Sequence, residues 1–297
     1  MKPTVQHFFH KDSSTCTFVC YDPATKDGIV IDPVTDLDMV NWQTSTDFNE
    51  VVAKWVDDNG IKLHAVLDTH THADHITGGA YFKERYNIPY CIGDKITIVQ
   101  KTFSDLYNLQ GFKCDGSQFD RLLKDQEVLT YGSLTIKCLA SHGHTPNCLS
   151  YLAGNCLFTG DVMFIEDFGC GRCDFPGGSA ADLYDSVMRL FALPGDTRVF
   201  VGHDYQPGGR DLRVETTMEA EREKNDDMTI RANRDEFIAG KTKWDSGLSF
   251  PKMIFPSLLV NINAGRLPEP AANGQRYFVI PMNLKAQTDS IGTKVKK

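Results

Sequence analysis

The stretch His70-Thr71-His72-Ala73-Asp74-His75 places three imidazoles and one carboxylate within six consecutive residues. It directly follows the apolar run 65–67, Ala-Val-Leu, which is typical of a buried strand. A strand that ends in such a cluster can direct several ligands at one metal ion. Neutral imidazole nitrogens and carboxylate oxygens suit zinc, iron and related divalent ions. The sequence therefore predicts a metalloenzyme.

The other candidate ligands also follow apolar strands. His144 comes after the alternating run 134–138, Asp161 after the run 156–158, and His203 after the run 199–201. Taken alone, each of the three is more often a hydrogen-bonded histidine or a turn aspartate than a ligand. Their shared position favours one site instead, and His7, His10 and His64 lack that position. Helical patterns over 51–59, 78–86 and 180–191 separate the strands, so we expect a layered α/β fold with the ligands at one edge.

Composition and charge exclude several classes of function. The chain has 297 residues, 41% hydrophobic and 24% charged, and a net charge of −8, which argues against binding to nucleic acid. No run approaches the roughly 20 apolar residues that span a bilayer, and no signal-peptide pattern is present, so we expect a cytoplasmic protein without membrane contact. Nine cysteines indicate reduced thiols, and we assign no redox role to Cys170 and Cys173.

Four motifs together resemble the metallo-β-lactamase superfamily in order and spacing. They are His-x-His-x-Asp-His at 70–75, Gly-His-Thr-Pro at 143–146, Gly-Asp at 160–161 and Gly-His-Asp-Tyr at 202–205. The resemblance implies an α/β (α+β) fold, an αββα sandwich in which two mixed β-sheets face each other between helices. We expect a single domain over 1–297, with 240–297 as a packed C-terminal extension, because its apolar residues at 253–260 need burial.

The segment after Asp161 indicates a branch of that superfamily. Cys-Gly-Arg-Cys-Asp-Phe at 170–175 and His-Asp-Tyr at 203–205 resemble the persulfide dioxygenases, the ETHE1-like enzymes, and Pro-Gly-Gly-Ser at 176–179 resembles their bacterial Blh-type relatives. The resemblance implies one Fe(II) per chain, held by His70, His144 and Asp161. It leaves four further residues as a second metal site or as outer groups, namely His72, Asp74, His75 and His203.

The same resemblance implies the reaction and the partners. The enzyme would oxidise glutathione persulfide with O₂ to sulfite and glutathione in sulfide detoxification, with metal-bound O₂ or water acting and no separate catalytic side chain assigned. Arg172 and Tyr205 would lie near the substrate, although Arg172 could equally pair with Asp174. Arg210 and Arg213 are further candidates for a carboxylate of the substrate. A rhodanese-type sulfurtransferase would supply the persulfide, and the chain would form a homodimer.

Two alternatives stay open from sequence. The first is a dinuclear zinc hydrolase of the glyoxalase II type that acts on a glutathione thioester. Its two Zn(II) ions would use His70, His72 and His144 on one side, Asp74, His75 and His203 on the other, and Asp161 as a bridge. The second is a non-catalytic binding protein with structural zinc, which is less favoured because structural zinc is usually enclosed by four Cys and His ligands. We also expect the loop at 166–168, Glu-Asp-Phe, to alter substrate access.

Overall fold

The structure is a computed structural model that describes residues 2–230 and 233–282. The first strands and helices are β1 (Thr4–His10), β2 (Thr15–Tyr21), β3 (Asp27–Ile31), β4 (Val34–Asp38), β5 (Gln43–Ser45), α1 (Asp47–Asp58), β6 (Lys62–Leu67), β7 (Ile76–Thr77), α2 (Gly79–Tyr86), β8 (Tyr90–Gly93) and α3 (Ile96–Tyr107). They are followed by β9 (Arg121–Leu123), β10 (Val128–Tyr131), β11 (Leu134–Ala140), β12 (Leu149–Ala153), β13 (Cys156–Phe158), α4 (Ala180–Leu190), β14 (Arg198–Phe200), β15 (Glu215–Thr217), α5 (Met218–Lys224), α6 (Asp226–Ile230), α7 (Arg234–Asp245) and α8 (Ile254–Asn261).

Two six-stranded sheets carry the fold. The strand order is β1-β2-β3-β6-β8-β9 in the first and β10-β11-β12-β13-β14-β15 in the second. Both are mixed, since β3, β6, β8 and β9 pair in parallel while β1 and β2 pair antiparallel, and β13 pairs with β14 in parallel within an otherwise antiparallel sheet. A small sheet, β5-β4-β7, lies beside them.

Successive side chains along a strand face opposite sides of the sheet, so the buried residues form separate layers. Phe18 on β2 faces the second sheet and packs with Phe158 and Phe200, while its neighbour Val19 faces the helices α1, α2, α3 and α8. The outer face of the second sheet packs against α4 and α7. Each large apolar side chain buried in these layers contributes roughly 1.5–3 kcal/mol. The predicted αββα sandwich is therefore confirmed.

Local signals explain where two helices begin. Ser179 caps α4 by accepting a hydrogen bond from the backbone N of Asp182 at 3.1 Å, as expected for serine at this position. Helix α1 begins at Asp47, four residues before the apolar run from which it was predicted. Acidic side chains in its first turn, at Asp47 and Glu50, favour the helix N-terminus. The apolar pattern predicts only the part of α1 that carries the buried face, and polar residues extend the helix at its N-terminus.

The described part of the C-terminal extension packs on the sandwich. The amide of Asn261 on α8 donates to the carbonyl oxygens of His72 and His75, both at 2.8 Å, and accepts from the backbone N of Thr77 at 2.9 Å. Helix α8 thereby supports the backbone of the histidine cluster. Residues 283–297 of the predicted extension lie outside the described residues. Among the residues that are described, no helix is long and apolar enough to cross a membrane.

Candidate metal centre

The loops that follow β6, β11, β13 and β14 meet at one edge of the sandwich. They bring together all seven predicted ligand residues, which are His70, His72, Asp74, His75, His144, Asp161 and His203. Among these seven residues, two sets have ligand atoms that all lie within 4.8 Å of one another; a third such set, Asp32, Asp68 and His72, combines His72 with two buried carboxylates. The first set is His70, His144 and Asp161, and the second is His72, Asp74 and His75.

The carboxylate of Asp161 lies between the two sets. Its Oδ2 is 3.5 Å from Nε2 of His144 and 3.8 Å from Nε2 of His70. Its Oδ1 is 3.3 Å from Nε2 of His203, which also lies 3.4 Å from Oδ2 of Asp74. One carboxylate can therefore serve a metal in the first set and face the second.

Hydrogen bonds determine which ring nitrogen of each histidine is free. His144 donates from Nδ1 to the carbonyl oxygen of Arg172 at 2.7 Å, and His203 donates from Nδ1 to the carbonyl oxygen of Ser14 at 3.1 Å. Because a carbonyl oxygen can only accept, Nδ1 carries the hydrogen in both rings. The Nε2 lone pair of each ring is left for a metal, as is usual for histidine ligands held by a second hydrogen bond.

Asp32 likewise determines which ring nitrogen is free in His72 and, through Thr69, in His70. Its Oδ1 lies 3.1 Å from Nε2 of His72, so that Nδ1 of this ring faces the cluster. Its Oδ2 accepts the hydroxyl of Thr69 at 2.8 Å, and that hydroxyl oxygen lies 3.0 Å from Nδ1 of His70. Since the Thr69 hydrogen is used on Asp32, its oxygen accepts from His70 and leaves Nε2 free. Nδ1 of His75 lies 3.2 Å from both Thr15 Oγ1 and Asp74 Oδ2.

The atoms left over fit a metal site. Five buried atoms that point into the cluster have no hydrogen-bond partner among the described residues, namely His70 Nε2, His72 Nδ1, His75 Nε2, His203 Nε2 and Asp161 Oδ1. A buried polar atom without a partner costs roughly 1–3 kcal/mol, so a cluster of them calls for a ligand that satisfies them together. Nitrogen and carboxylate donors in this arrangement suit a divalent transition metal.

Burial and neighbouring charges prepare the donors. Burial lowers the pKa of His70 and His72 well below the ordinary value of 6.5, so both rings are neutral and can offer a lone pair. Burial opposes the ionised form of Asp74, yet the adjacent His203 and His75 bring the pKa of this carboxyl well below 3.8. Burial also lowers the pKa of His203, but the carboxylates of Asp161 and Asp74 outweigh it and raise the value.

The segment Cys170–Cys173 forms one side of the centre. A Cβ on Gly171 would collide with the backbone oxygen of Asp161, so glycine is needed for this close approach. Both thiols are buried, and burial raises the pKa of Cys170 and Cys173, which disfavours their thiolate forms.

Arg172 is already paired within the protein. Its Nε and Nη2 donate to the two carboxylate oxygens of Asp174 at 2.6 Å each, and Nη1 donates to the carbonyl oxygen of Ser249 at 2.7 Å. The guanidinium also lies 5.0 Å from the centroid of Phe175. Arg172 lines the groove. Its guanidinium nevertheless pairs with Asp174, as in the second of the two roles considered from sequence.

A groove of about 1320 Å³ opens over the centre. Its floor includes Asp74, His75, His144 and Asp161, and its walls come from the ranges 35–45, 164–175 and 244–253. The extension therefore contributes a wall. His10, which lacked the position of a ligand in the sequence, also lines this groove, where it lies 3.1 Å from Asp36.

Aromatic rings extend from the centre along one wall. Tyr205 stacks on His203 with ring centroids 5.5 Å apart and planes at 12°, and Phe168 packs on Tyr205 at 4.9 Å. Phe164 meets Tyr205 edge-on at 5.8 Å. We call Phe164, Phe168 and Tyr205 the aromatic wall. Partial burial, together with the carboxylates of Asp161 and Asp74, raises the pKa of Tyr205, so its hydroxyl stays protonated.

Arg210 and Arg213 hold the loop that carries this wall. Arg210 donates to both carboxylate oxygens of Asp167, at 2.5 and 2.8 Å, and pairs with Asp204 at 2.7 Å. Arg213 donates to Glu166 at 2.6 Å. Their predicted role as partners of a substrate carboxylate is not supported, because protein carboxylates already occupy them. The acidic residues of the 166–168 loop explain the difference, since they supply those carboxylates.

Sequence reasoning missed Asp32. The signal was present, because Asp32 follows the apolar run 29–31 as the other site residues follow theirs. It is 1% exposed and has a left-handed backbone with φ of 49°, which is uncommon outside glycine. Lys241 was also missed, and no local signal separates it from an ordinary surface lysine in a helix.

The fold and the site agree with comparisons to known proteins. A family model for the metallo-β-lactamase superfamily matches residues 11–203, so the chain belongs to this superfamily, whose members are metal-dependent enzymes. Among solved structures, ETHE1 from Myxococcus xanthus is similar, with 30% identity and a TM-score of 0.71 over 89% of this chain and 100% of that one.

Relatives in sequence carry different names. The β-lactamase hydrolase-like protein of Agrobacterium fabrum is 40% identical over 95% of this chain, and the match spans only 65% of the relative's length. Glyoxylase B2 of Dictyostelium discoideum is 39% identical over 96% of this chain and 99% of its own. The mitochondrial persulfide dioxygenase ETHE1 of Bos taurus is 30% identical over 90% of this chain and 91% of its own.

Proposed function

We propose that the chain is an iron-dependent persulfide dioxygenase that uses O₂ to oxidise glutathione persulfide to sulfite and glutathione. The observation that carries the proposal is the convergence of His70, His144 and Asp161 within 4.8 Å. Two imidazoles and one carboxylate are the donor set of non-haem Fe(II) oxygenases. The likeness to persulfide dioxygenase ETHE1 of Bos taurus and to ETHE1 of Myxococcus xanthus supports the choice.

An Fe(II) ion bound there would supply one-electron chemistry with O₂ and open positions for a substrate sulfur. The protein's own groups prepare for this. Thr69 and the carbonyl of Arg172 hold Nδ1 of His70 and of His144, so that Nε2 of each ring would be available to hold the ion. The aromatic wall lines one side of the groove, and the protonated Tyr205 hydroxyl would be able to donate a hydrogen bond to a sulfur bound there.

A second candidate is a dinuclear zinc hydrolase that acts on a glutathione thioester. The specific observation in its favour is the second set, in which His72 Nδ1, His75 Nε2 and His203 Nε2 are buried without a partner among the described residues. A zinc pair would supply Lewis acidity and an activated water. The relative named Glyoxylase B2 supports this candidate.

One experiment separates the two candidates. The protein is produced with both iron and zinc in the medium and purified without oxygen. Its metal content is then measured, followed by O₂ uptake and sulfite release with glutathione persulfide. A dioxygenase should hold about one iron per chain and consume O₂. Two zinc ions, thioester hydrolysis and no O₂ uptake would select the hydrolase.

His70→Ala and His64→Ala provide the matched pair. His70→Ala should lose iron and turnover, because it removes a donor of the first set. His64 pairs with Asp27 at 2.6 Å away from the centre, so His64→Ala should keep both. Retention of iron and turnover by His70→Ala would contradict the ligand assignment. We also propose that the chain forms a cytoplasmic homodimer and receives persulfide from a rhodanese-type sulfurtransferase.

A further inference from the structure

Lys241 on α7 is a buried cation next to the metal centre. Its side chain is 5% exposed, and Nζ donates to the carbonyl oxygen of Cys170 at 2.8 Å. The same nitrogen lies 3.3 Å from Oδ2 of Asp227 and 3.4 Å from Oδ1 of Asp245. Two carboxylates therefore compensate one ammonium group inside the protein, where an unpaired charge would cost several kcal/mol.

These carboxylates also hold the backbone of the segment Cys170–Cys173. Asp227 Oδ2 accepts from the backbone N of Cys170 at 2.9 Å, and Asp245 Oδ2 accepts from the backbone N of Cys173 at 2.7 Å. Both ends of this four-residue segment are thus fastened to one cluster of charges. Lys241 forms ion pairs with both carboxylates and also donates directly to the carbonyl oxygen of Cys170.

The middle of the segment contacts two residues of the first ligand set. The carbonyl oxygen of Arg172 accepts the Nδ1 hydrogen of His144 at 2.7 Å. Gly171 lies against the backbone oxygen of Asp161. A Cβ at this position would also lie about 3.4 Å from Nδ1 of His144. A shift of the segment would therefore move the acceptor that selects the His144 tautomer and the surface that supports Asp161.

We propose that Lys241 is a positioning residue, which acts with Asp227 and Asp245 through the segment Cys170–Cys173 to fix His144 and Asp161 for metal binding. The inference rests on the proposed metal centre, but it holds for either metal and for either reaction. It gives the C-terminal extension a role in the centre. Helix α7 would set metal affinity although it supplies no ligand.

The test compares Lys241→Met with Lys243→Met. Met keeps the unbranched shape and most of the length of the side chain but removes its charge, and Lys243 is an exposed lysine on the same helix. Metal is stripped from the purified proteins, and Co²⁺ is titrated while its visible absorption is recorded. Lys241→Met should bind Co²⁺ roughly tenfold or more weakly, the usual effect of losing a group that orients a ligand, and its spectrum should change. Lys243→Met should match the wild type.

Two measurements on metal-free protein separate positioning from a general loss of stability. Amide hydrogen exchange at Cys170 and Cys173 should accelerate in Lys241→Met, while the exchange of β11 and β13 should not. Asp245→Ala serves if Lys241→Met fails to fold, because it leaves Lys241 paired with Asp227 while it removes the acceptor of the Cys173 amide and the second carboxylate beside Lys241. It should weaken Co²⁺ binding in the same direction.

Each outcome decides one of the proposals. A folded Lys241→Met or Asp245→Ala protein that binds Co²⁺ as tightly as the wild type, with an unchanged spectrum, would overturn the positioning role alone. A wild-type protein that binds no Co²⁺ would overturn the proposed metal centre itself. Weaker Co²⁺ binding in the two variants, with normal binding in Lys243→Met, would support the role of Lys241.

Discussion

The carboxylate of Asp32 faces His72, with Oδ1 3.1 Å from the ring Nε2. The same group accepts two hydrogen bonds from Thr69, from the backbone N at 2.7 Å and from the hydroxyl at 2.8 Å. Burial raises the pKa of Asp32, while His70 and the Thr69 hydrogen bonds act in the opposite direction. A single buried side chain thus orients donors in both ligand sets.

We predict that Asp32→Asn weakens metal binding by roughly 10–100-fold, the usual effect of removing a group that orients a histidine ligand. Asparagine tolerates the left-handed backbone at this position, so the change removes the anionic acceptor without adding backbone strain. Competition with a chromogenic chelator measures the affinity. Asp58→Asn, at the exposed end of α1 and outside the groove, is the control and should bind normally. Equal affinity in both variants would show that Asp32 does not orient the ligands.

We predict that Gly171→Ala destabilises the protein by about 1–3 kcal/mol, the cost of overpacking, and weakens metal binding. The added methyl group would collide with the backbone oxygen of Asp161, which cannot move aside as a flexible side chain could. Gly247→Ala is the control, because the nearest neighbour of its added methyl group would be the backbone oxygen of Trp244 at an ordinary 3.4 Å. Thermal unfolding with and without metal measures both effects. An unchanged melting temperature in Gly171→Ala would argue against this close contact.

We predict that Glu221→Gln flattens the dependence of stability on pH. Burial raises the pKa of Glu221 to about 8 from an ordinary 4.5; a hydrogen bond from Asn225 opposes the shift, and the nearby Glu166 adds to it. Between these values the unfolded chain releases a proton that the folded chain keeps. Stability from this group is therefore complete below pH 4.5 and is lost as the pH rises toward 8.

The measurement is urea unfolding of Glu221→Gln and wild type at pH 5 and pH 8. The variant should lose less stability between the two pH values, by at least about 1 kcal/mol, because one pKa unit corresponds to about 1.4 kcal/mol. Glu219→Gln, an exposed position on the same helix, should follow the wild type. Parallel pH profiles for Glu221→Gln and wild type would contradict the prediction.

We predict that Phe168→Ala raises the KM for glutathione persulfide without loss of metal. Phe168 packs on Tyr205 at 4.9 Å, and an aromatic contact of this kind is worth about 0.5–1.5 kcal/mol, which corresponds to a roughly two- to tenfold change. Steady-state kinetics and metal analysis provide the readouts. Met188→Ala, which removes an equally exposed apolar side chain from α4, should change neither. A loss of metal in Phe168→Ala would instead assign the aromatic wall to the support of His203.

Many features of the fold could be predicted from local patterns. The helices α2 and α4 and the strands before the candidate ligands lie within a few residues of their predicted bounds. Alternation and helical periodicity reflect which face of an element is buried, and that information lies in neighbouring residues. The seven candidate ligand residues could be named for the same reason, since they follow four apolar strands, β6, β11, β13 and β14.

Long-range partners could not be predicted in this way. Arg210 and Arg213 were candidates for a carboxylate of the substrate, yet they bind Asp167 and Glu166, which lie 43 and 47 residues away along the chain. Lys241 on α7 donates to the carbonyl oxygen of Cys170, which lies 71 residues away along the chain. Nothing near these residues in sequence marks the pairing, because an ion pair depends on proximity in space.

The amino-acid sequence by itself determined the order of strands and helices and the seven donors at the strand ends, because burial and backbone preference act over a few neighbouring residues. Only the tertiary structure decided which ring nitrogen of each histidine is free and which carboxylates compensate Lys241 and Arg210. Those choices depend on hydrogen bonds and charges from distant segments, and such interactions exist only once the two sheets have packed together.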